Sequence, residues 1–399
     1  MKAFRYRATN GQTATYVDRK YPFWSLALFY ALLPFLGIAL HARTGLELAL
    51  FLPISLTYVG FPLLDLLLGE AHDNPPEEVV PQLEKHPYYQ TLTYAIVPAA
   101  FLVVAGSAYW IGSHELTWGV VGLGMAAGVT GGLCITTGHE LGHKQTKLER
   151  WLTKILLAVP AYGHFWVDHN RGHHREVATP QDPVSARMGE SIYKFASREI
   201  PGAFRRAWRS EADRLRRRGK SMWSIENEIL QSYAMSAVLQ LGLTALVGPQ
   251  MLLFFLIANA QAWWLLTSAN YVEHYGLLRE RESSGRYESC KPHHSWNCNR
   301  ICTNLLLFHL ERHSDHHAHP RRRFQSLRHL EDLPQLPGGY LGMFSIACVP
   351  PLWFKMMDPK LMALKQVQGD LAKVNIDPER KAELVRRYGQ QPQQVSAAT

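Results

Sequence analysis

The sequence predicts an all-α integral membrane protein, six transmembrane helices joined to a cytoplasmic, histidine-rich helical cap. Three observations predict it. Apolar residues, 47% of the 399, gather into uncharged runs near the roughly 20 residues needed to cross about 30 Å of hydrocarbon. Three histidine clusters stand just outside such runs: His139-Glu-Leu-Gly-His143, His169-Asn-Arg-Gly-His173-His174 and His313-Ser-Asp-His316-His317. Lysine and arginine crowd the N-terminus (Lys2, Arg5, Arg7, Arg19, Lys20), segment 138–231 and the C-terminal region, while the connections 112–115 and 248–250 carry none. The positive-inside rule then places both termini in the cytoplasm, with all three clusters on that face. An even number of spans agrees independently.

Taken in order, residues 1–22 form a cytoplasmic N-terminal segment. Four transmembrane helices follow within 23–137, at 23–42, 46–68, 91–111 and 116–137. Basic residues precede the first run as in a signal peptide, but it is long and ends in His41-Ala42-Arg43 rather than a small-x-small cleavage site, so it is read as a retained helix. Pro75, Pro76 and Pro81 make Gly69–Gln90 a loop. The fourth helix continues past the lipid boundary to carry His139 and His143. Residues 138–231 are the first part of the cap, holding two of the clusters. Within it, Trp151–Val167 is broken by Pro160 and Gly163 and lies at the interface, and 182–231 is a surface helical insertion. Spans five and six occupy 232–272. Residues 273–358 complete the cap with the third cluster, and 359–399 form a C-terminal helix and a disordered tail from Gly389. The small residues of Gly119–Gly132 permit close helix packing or line a channel, and packing is favoured.

The formal net charge of +9 follows from topology and calls for no nucleic acid. Arg205, Arg206, Arg209, Arg214, Arg216, Arg217 and Arg218 read as anchors facing anionic membrane lipid, with a dock for an acidic redox partner as the alternative. Five cysteines without a C-x-x-C pair indicate reduced thiols and no rubredoxin-like or zinc-ribbon element in the chain.

Imidazoles four apart on a helix lie on one face about a turn apart, so each cluster can aim two or three nitrogens at one point. His139-Glu140-Leu-Gly-His143 is formally the H-E-x-x-H of zinc proteases. Such an enzyme needs one further protein ligand and would leave two clusters without a role. With His274, at the mouth of the sixth span, there are nine potential ligands, enough for two four- or five-coordinate ions. His41, His72, His86, His114 and His329 read as solvated or hydrogen-bonded. His164, His309 and His319 are intermediate, and the apolar setting of His309 favours packing. His293 and His294, flanked by Cys290, Cys298 and Cys302, leave a separate zinc site open. Metal-bound imidazoles usually give their other N–H to a carboxylate or carbonyl, and Glu140, Asp168, Asp182, Glu273 and Asp315 are placed for that. Imidazole does not select the metal. Two redox ions beside an apolar bundle suggest oxygen activation on a lipid-like substrate.

His139-Glu-Leu-Gly-His-Lys144, His169-Asn-Arg-Gly-His-His174, Asn270-Tyr-Val-Glu-His-Tyr-Gly-Leu277 and Leu310-Glu-Arg-His-Ser-Asp-His-His-Ala-His-Pro320 closely resemble the alkane 1-monooxygenase (AlkB) family of the membrane histidine-rich diiron hydroxylase/desaturase superfamily. The resemblance covers about residues 20–355. It implies two non-haem irons held by His139, His143, His169, His173, His174, His274, His313, His316 and His317. It also implies electrons from NADH through a rubredoxin reductase and rubredoxin, no nucleotide bound directly, and terminal hydroxylation of medium-chain n-alkanes by O2 at a bacterial inner membrane. Asp168 stands where many members have glutamate. A fatty-acid desaturase or lipid hydroxylase of the same superfamily is the alternative. A transport protein fits less well, because the histidines cluster outside the spans rather than at midplane.

Overall fold

A computed structural model describes residues 1–389. The fold is helical almost throughout, as expected, with one short hairpin at the N-terminus among the described residues. Strands β1 (Lys2–Arg7) and β2 (Thr13–Asp18) pair antiparallel, Lys2 opposite Asp18 and Arg7 opposite Thr13. The connection between them, residues 8–12, turns at Gly11, whose φ of 81° a residue without a Cβ adopts freely.

The first apolar run folds as two helices, α1 (Tyr21–Ala31) and α2 (Leu33–Thr44), bent by 57°. Pro34 sits in the first turn of α2, where its missing N–H does not interrupt the ladder. Five unbroken helical stretches are long and apolar enough to cross a bilayer: α3 (Glu47–Leu68), α4 (Pro87–Ser113), α5 (Gly119–Gly142), α8 (Glu228–Val247) and α9 (Gln250–His274). Counting the bent pair as one span gives six. Leu66, Leu67, Val238, Leu241 and Leu246 stay exposed on α3 and α8, the surface a hydrocarbon phase would cover. The protein is thus a multi-pass membrane protein.

The fourth span, α5, is the central helix, buried along nearly its whole length. Its glycines make that possible. A Cβ on Gly128 would lie 2.5 Å from Gln261 Cβ and 2.8 Å from the Ala258 carbonyl oxygen of α9, so the two backbones approach as closely as glycine allows. Close packing therefore explains the small-residue run, although Gly132 also borders the cavity described below.

In the cap, α6 (Lys147–Ala158) ends before Pro160. The long α7 (Ile192–Arg216) is more than a surface insertion. Glu199, Ala203, Ala207, Glu211 and Leu215, four residues apart, form a buried stripe that faces the metal-binding region. This alters the reading of the arginines. Arg206 pairs with Asp168, Asp182 and Glu176, and Arg214 pairs with the fully buried Glu211, so neither faces lipid or a partner. Arg205, Arg209, Arg216, Arg217 and Arg218 are exposed. Beyond the third cluster, carried on α10 (His313–Ala318), the chain continues through α11 (Tyr340–Ala347) and α12 (Pro350–Met362) to α13 (Lys381–Tyr388). Apart from Gly389, the expected disordered tail lies outside the described residues.

Candidate metal centre

Four segments bring the histidines together. The last turn of α5 carries His139, and His143 caps that helix. After a short helical turn, Phe165–Asp168, the chain widens into a π-turn, His169–His173, in which residues five apart come into line. His169 and His174 therefore meet, Nε2 to Nε2 2.9 Å, while His173 points elsewhere. On α10, His313 and His317 share a face, their Nε2 atoms 2.9 Å apart. His316, about 100° round that helix, reaches His139 with 2.8 Å between Nε2 atoms. His274 at the end of α9 approaches His313 at 3.3 Å.

The result is two sets, with the ligand atoms of each within 4.8 Å of one another. His139, His143, His169, His174 and His316 form one, and His173, His274, His313 and His317 form the other. All nine expected histidines are gathered, and the second and third clusters are each split between the sets. The His174 and His317 rings bridge them, with centroids 4.5 Å apart.

The donor set suits a soft-to-borderline metal that accepts neutral imidazole. Burial first, and neighbouring imidazoles second, hold His143, His169, His174, His313, His316 and His317 well below the ordinary histidine range, so their nitrogens carry lone pairs rather than protons at neutrality. His143 Nε2 is buried without a hydrogen-bond partner, which is costly for a polar atom unless something binds it. Two rings have their tautomer fixed from behind. His173 Nδ1–H donates to Asp182 at 2.9 Å, and His274 Nδ1–H donates to the His294 carbonyl at 3.2 Å, leaving both Nε2 lone pairs directed inward. Burial would raise the Asp182 carboxyl, but His173 and Arg206 hold it far below the carboxylate range.

The other carboxylates sit differently. Asp168 is clamped by Arg206 at 2.7 and 2.8 Å, and since Arg206 also holds Asp182 at 2.7 Å, Asp168 reaches the histidines only through that arginine. Glu140 pairs with Lys144 at 3.1 Å and accepts from the Phe324 amide. Asp315 holds Arg322 and the Arg328 amide. Glu273 lies 3.4 Å from His313 Nε2, on the side where that ring faces its set, and its other oxygen has no partner. Sequence reasoning missed Arg206 as the clamp and Glu199 as a buried acid, because partners tens of residues away leave no local signal.

The intermediate histidines stay out of both sets. His309 bonds the Phe324 carbonyl and approaches Lys20, His164 meets the Tyr233 hydroxyl, and His319 is exposed. His293 and His294 group with Glu288, not with the cysteines. His294 Nδ1 accepts from the Lys291 amide, so Nε2 carries the proton and faces Glu288 at 3.3 Å, a hydrogen-bonded corner rather than a metal site.

A narrow apolar cavity opens beside the histidines, its room for water centres about 50 Å³. Leu133, Phe165, Leu265, Leu266, Leu307 and Phe344 wall it, and His139, His169, His313 and Glu273 border it.

The fold and this site define an integral-membrane protein with a buried, histidine-rich site able to hold metal. Residues 116–347 match the fatty acid desaturase family. The chain is 52% identical over 374 residues to the alkane 1-monooxygenase of Pseudomonas putida, covering 94% of this chain and 92% of that protein. It is 51% identical to the alkane 1-monooxygenase of Ectopseudomonas oleovorans, covering 94% and 93%, and 49% identical to alkane 1-monooxygenase 1 of Alcanivorax borkumensis, covering 94% and 92%. The chain belongs to the alkane 1-monooxygenase family, and its histidine sets with that membership indicate non-haem iron.

Proposed function

We propose that the nine histidines hold two irons, five imidazoles to one and four to the other, and that the enzyme hydroxylates the terminal methyl of medium-chain n-alkanes to 1-alkanols. The observation that carries this is the joining of both histidine sets to a cavity walled by leucine and phenylalanine. The balance is alkane, O2, two electrons and two protons giving 1-alkanol and water. Iron, when bound, supplies the O2 activation.

What the chain's own residues contribute is placement. An alkane has no polar handle, so it is held by apolar burial at about 0.8 kcal/mol per CH2, roughly 6 kcal/mol for eight carbons. A narrow apolar cavity ending at His139, His169 and His313 presents a chain end rather than a mid-chain carbon, and terminal selectivity follows from shape. The related desaturase or lipid-hydroxylase reading is supported by the family match, but among the described residues lining the cavity there is no lysine or arginine to hold a fatty-acid carboxylate.

Two electrons are taken to arrive from rubredoxin, reduced by an NADH-dependent reductase, on the cytoplasmic face of the bacterial inner membrane. In support, a groove bordered by Arg175, Arg205, Arg209 and Arg217 lies beside the second cluster, Arg175 being the neighbour of His174. Such a surface suits an acidic protein. The test is product analysis: full-length protein in membranes, with octane, NADH, reductase and rubredoxin, yields 1-octanol. Internal alcohols, or desaturation of fatty acyl chains without 1-octanol, would refute the proposal.

A further inference from the structure

Monooxygenation consumes two protons per alkane, and the apolar cavity is poorly suited to carry them. A second, smaller cavity lies against the other side of the second cluster. His169, His173, Asp168, Tyr162, His164, Glu199 and Asn270 border it, and His169 and Asn270 border the apolar cavity as well. Its room for water centres, about 10 Å³, is about what one water occupies.

Two polar atoms there are buried without a protein partner, Tyr162 Oη and His164 Nε2. Buried hydroxyls and ring nitrogens without protein partners are ordinarily satisfied by ordered water. Tyr233 Oη lies 2.8 Å from His164 Nδ1; in the tautomer that starts the relay, the phenol donates to Nδ1 and Nε2–H faces the cavity. Tyr233 itself is half-buried. Glu199 is fully buried, and its carboxylate accepts from Thr267 Oγ1 at 2.8 Å and Asn270 Nδ2 at 3.1 Å. The charged groups that influence it are Asp168 and Arg198, and Tyr162 and His164 share the cavity with it. Burial pushes its carboxyl up to about 7, where an acid can both hold and give a proton near neutrality.

We propose that Tyr233, His164 and Glu199, linked by water in this cavity, form a proton relay from the protein surface to the metal centre. The inference rests on the two-iron reading above. For each proton, Tyr233 Oη–H passes to His164 Nδ1, His164 Nε2–H passes to the water, and the water passes a proton to the Glu199 carboxylate. Protonated Glu199 supplies, through the same water, the oxygen atom that leaves as water. Solvent reprotonates Tyr233, the imidazole returns to its first tautomer, and the electrons come from the external donor protein. Glu199, which touches neither substrate nor iron, acts here as a relay residue.

The experiment uses iron-loaded, full-length protein and the variants Glu199→Gln, Glu199→Asp and His164→Phe. Infrared spectra of the wild type should show a carboxylic C=O band that titrates near pH 7 and is missing from Glu199→Gln. With iron content unchanged, Glu199→Gln and His164→Phe should lose at least about tenfold in turnover, gain a larger solvent deuterium isotope effect and divert electrons into hydrogen peroxide. Glu199→Asp should recover part of the loss. If Glu199→Gln also loses iron, His164→Phe decides the matter. Wild-type turnover, coupling and isotope effect in iron-replete His164→Phe, or an unchanged carboxylic band in Glu199→Gln, would overturn the relay. Wild-type protein that binds no iron would instead overturn the two-iron reading.

Discussion

The two histidine sets are built on different plans. Five imidazoles come from the end of α5, the π-turn and His316, and two of them, His139 and His169, border the apolar cavity. The set of four is braced from behind instead, Asp182 holding His173 and the His294 carbonyl holding His274. Among the described residues no carboxylate bonds a ring nitrogen of the five-membered set. The larger set offers more imidazoles and lends two of them to the cavity wall. The smaller lends only His313 to that wall and has two of its four rings held in orientation, as outer hydrogen bonds to metal-binding histidines generally do.

That contrast makes the largest predicted effects unequal. His313→Ala leaves three imidazoles in its set and should lose that iron completely, with octane hydroxylation falling at least about 100-fold. His143→Ala leaves four, so its set should retain part of its iron while activity still collapses. Iron per chain, measured beside 1-octanol formation, checks both, and equal iron loss in the two variants would break the comparison.

A smaller effect is expected from the brace. Asp182→Ala frees His173 and strips Arg206 of one of its carboxylates, and should weaken iron at the four-membered set by about 10- to 100-fold. It should leave the other iron in place, as a chelator competition would resolve. Leaving a buried charge without its partner costs roughly 3–5 kcal/mol where no substitute exists. Asp168 and Glu176 still hold Arg206, so the loss of stability should fall below that range, read as a modest drop in Tm.

The smallest effect lies at the surface. Replacing Arg205, Arg209 and Arg217 with glutamate should raise KM for rubredoxin roughly three- to tenfold at low salt, leave kcat nearly unchanged and converge on wild type at high salt, where screening removes the difference. A KM unmoved at every ionic strength would leave these residues as lipid anchors only.

Much of this was legible in the sequence. Apolar run length is a property of consecutive residues, so the spans stand out, and histidines at helical spacing announce a shared focus. Which histidine serves which set was not legible, because the π-turn changes the register after His169 and sends His173 away from His169 and His174. The bend between α1 and α2 hid inside an otherwise continuous apolar run. Arg206 looked like its exposed neighbours because its partners, Asp168 and Asp182, are 38 and 24 positions away. The N-terminal hairpin did leave a signal, Asn10-Gly11 between alternating residues, in a segment too short to compete with the helical pattern around it.

The central claim is two irons in unlike settings. Iron quantified per chain in full-length, iron-replete protein, together with its Mössbauer spectrum, tests it most directly. The account predicts two irons per chain in two distinct quadrupole doublets of equal area, with only one of them altered by Asp182→Ala. A single iron per chain, or two irons that remain indistinguishable in the variant, would contradict it.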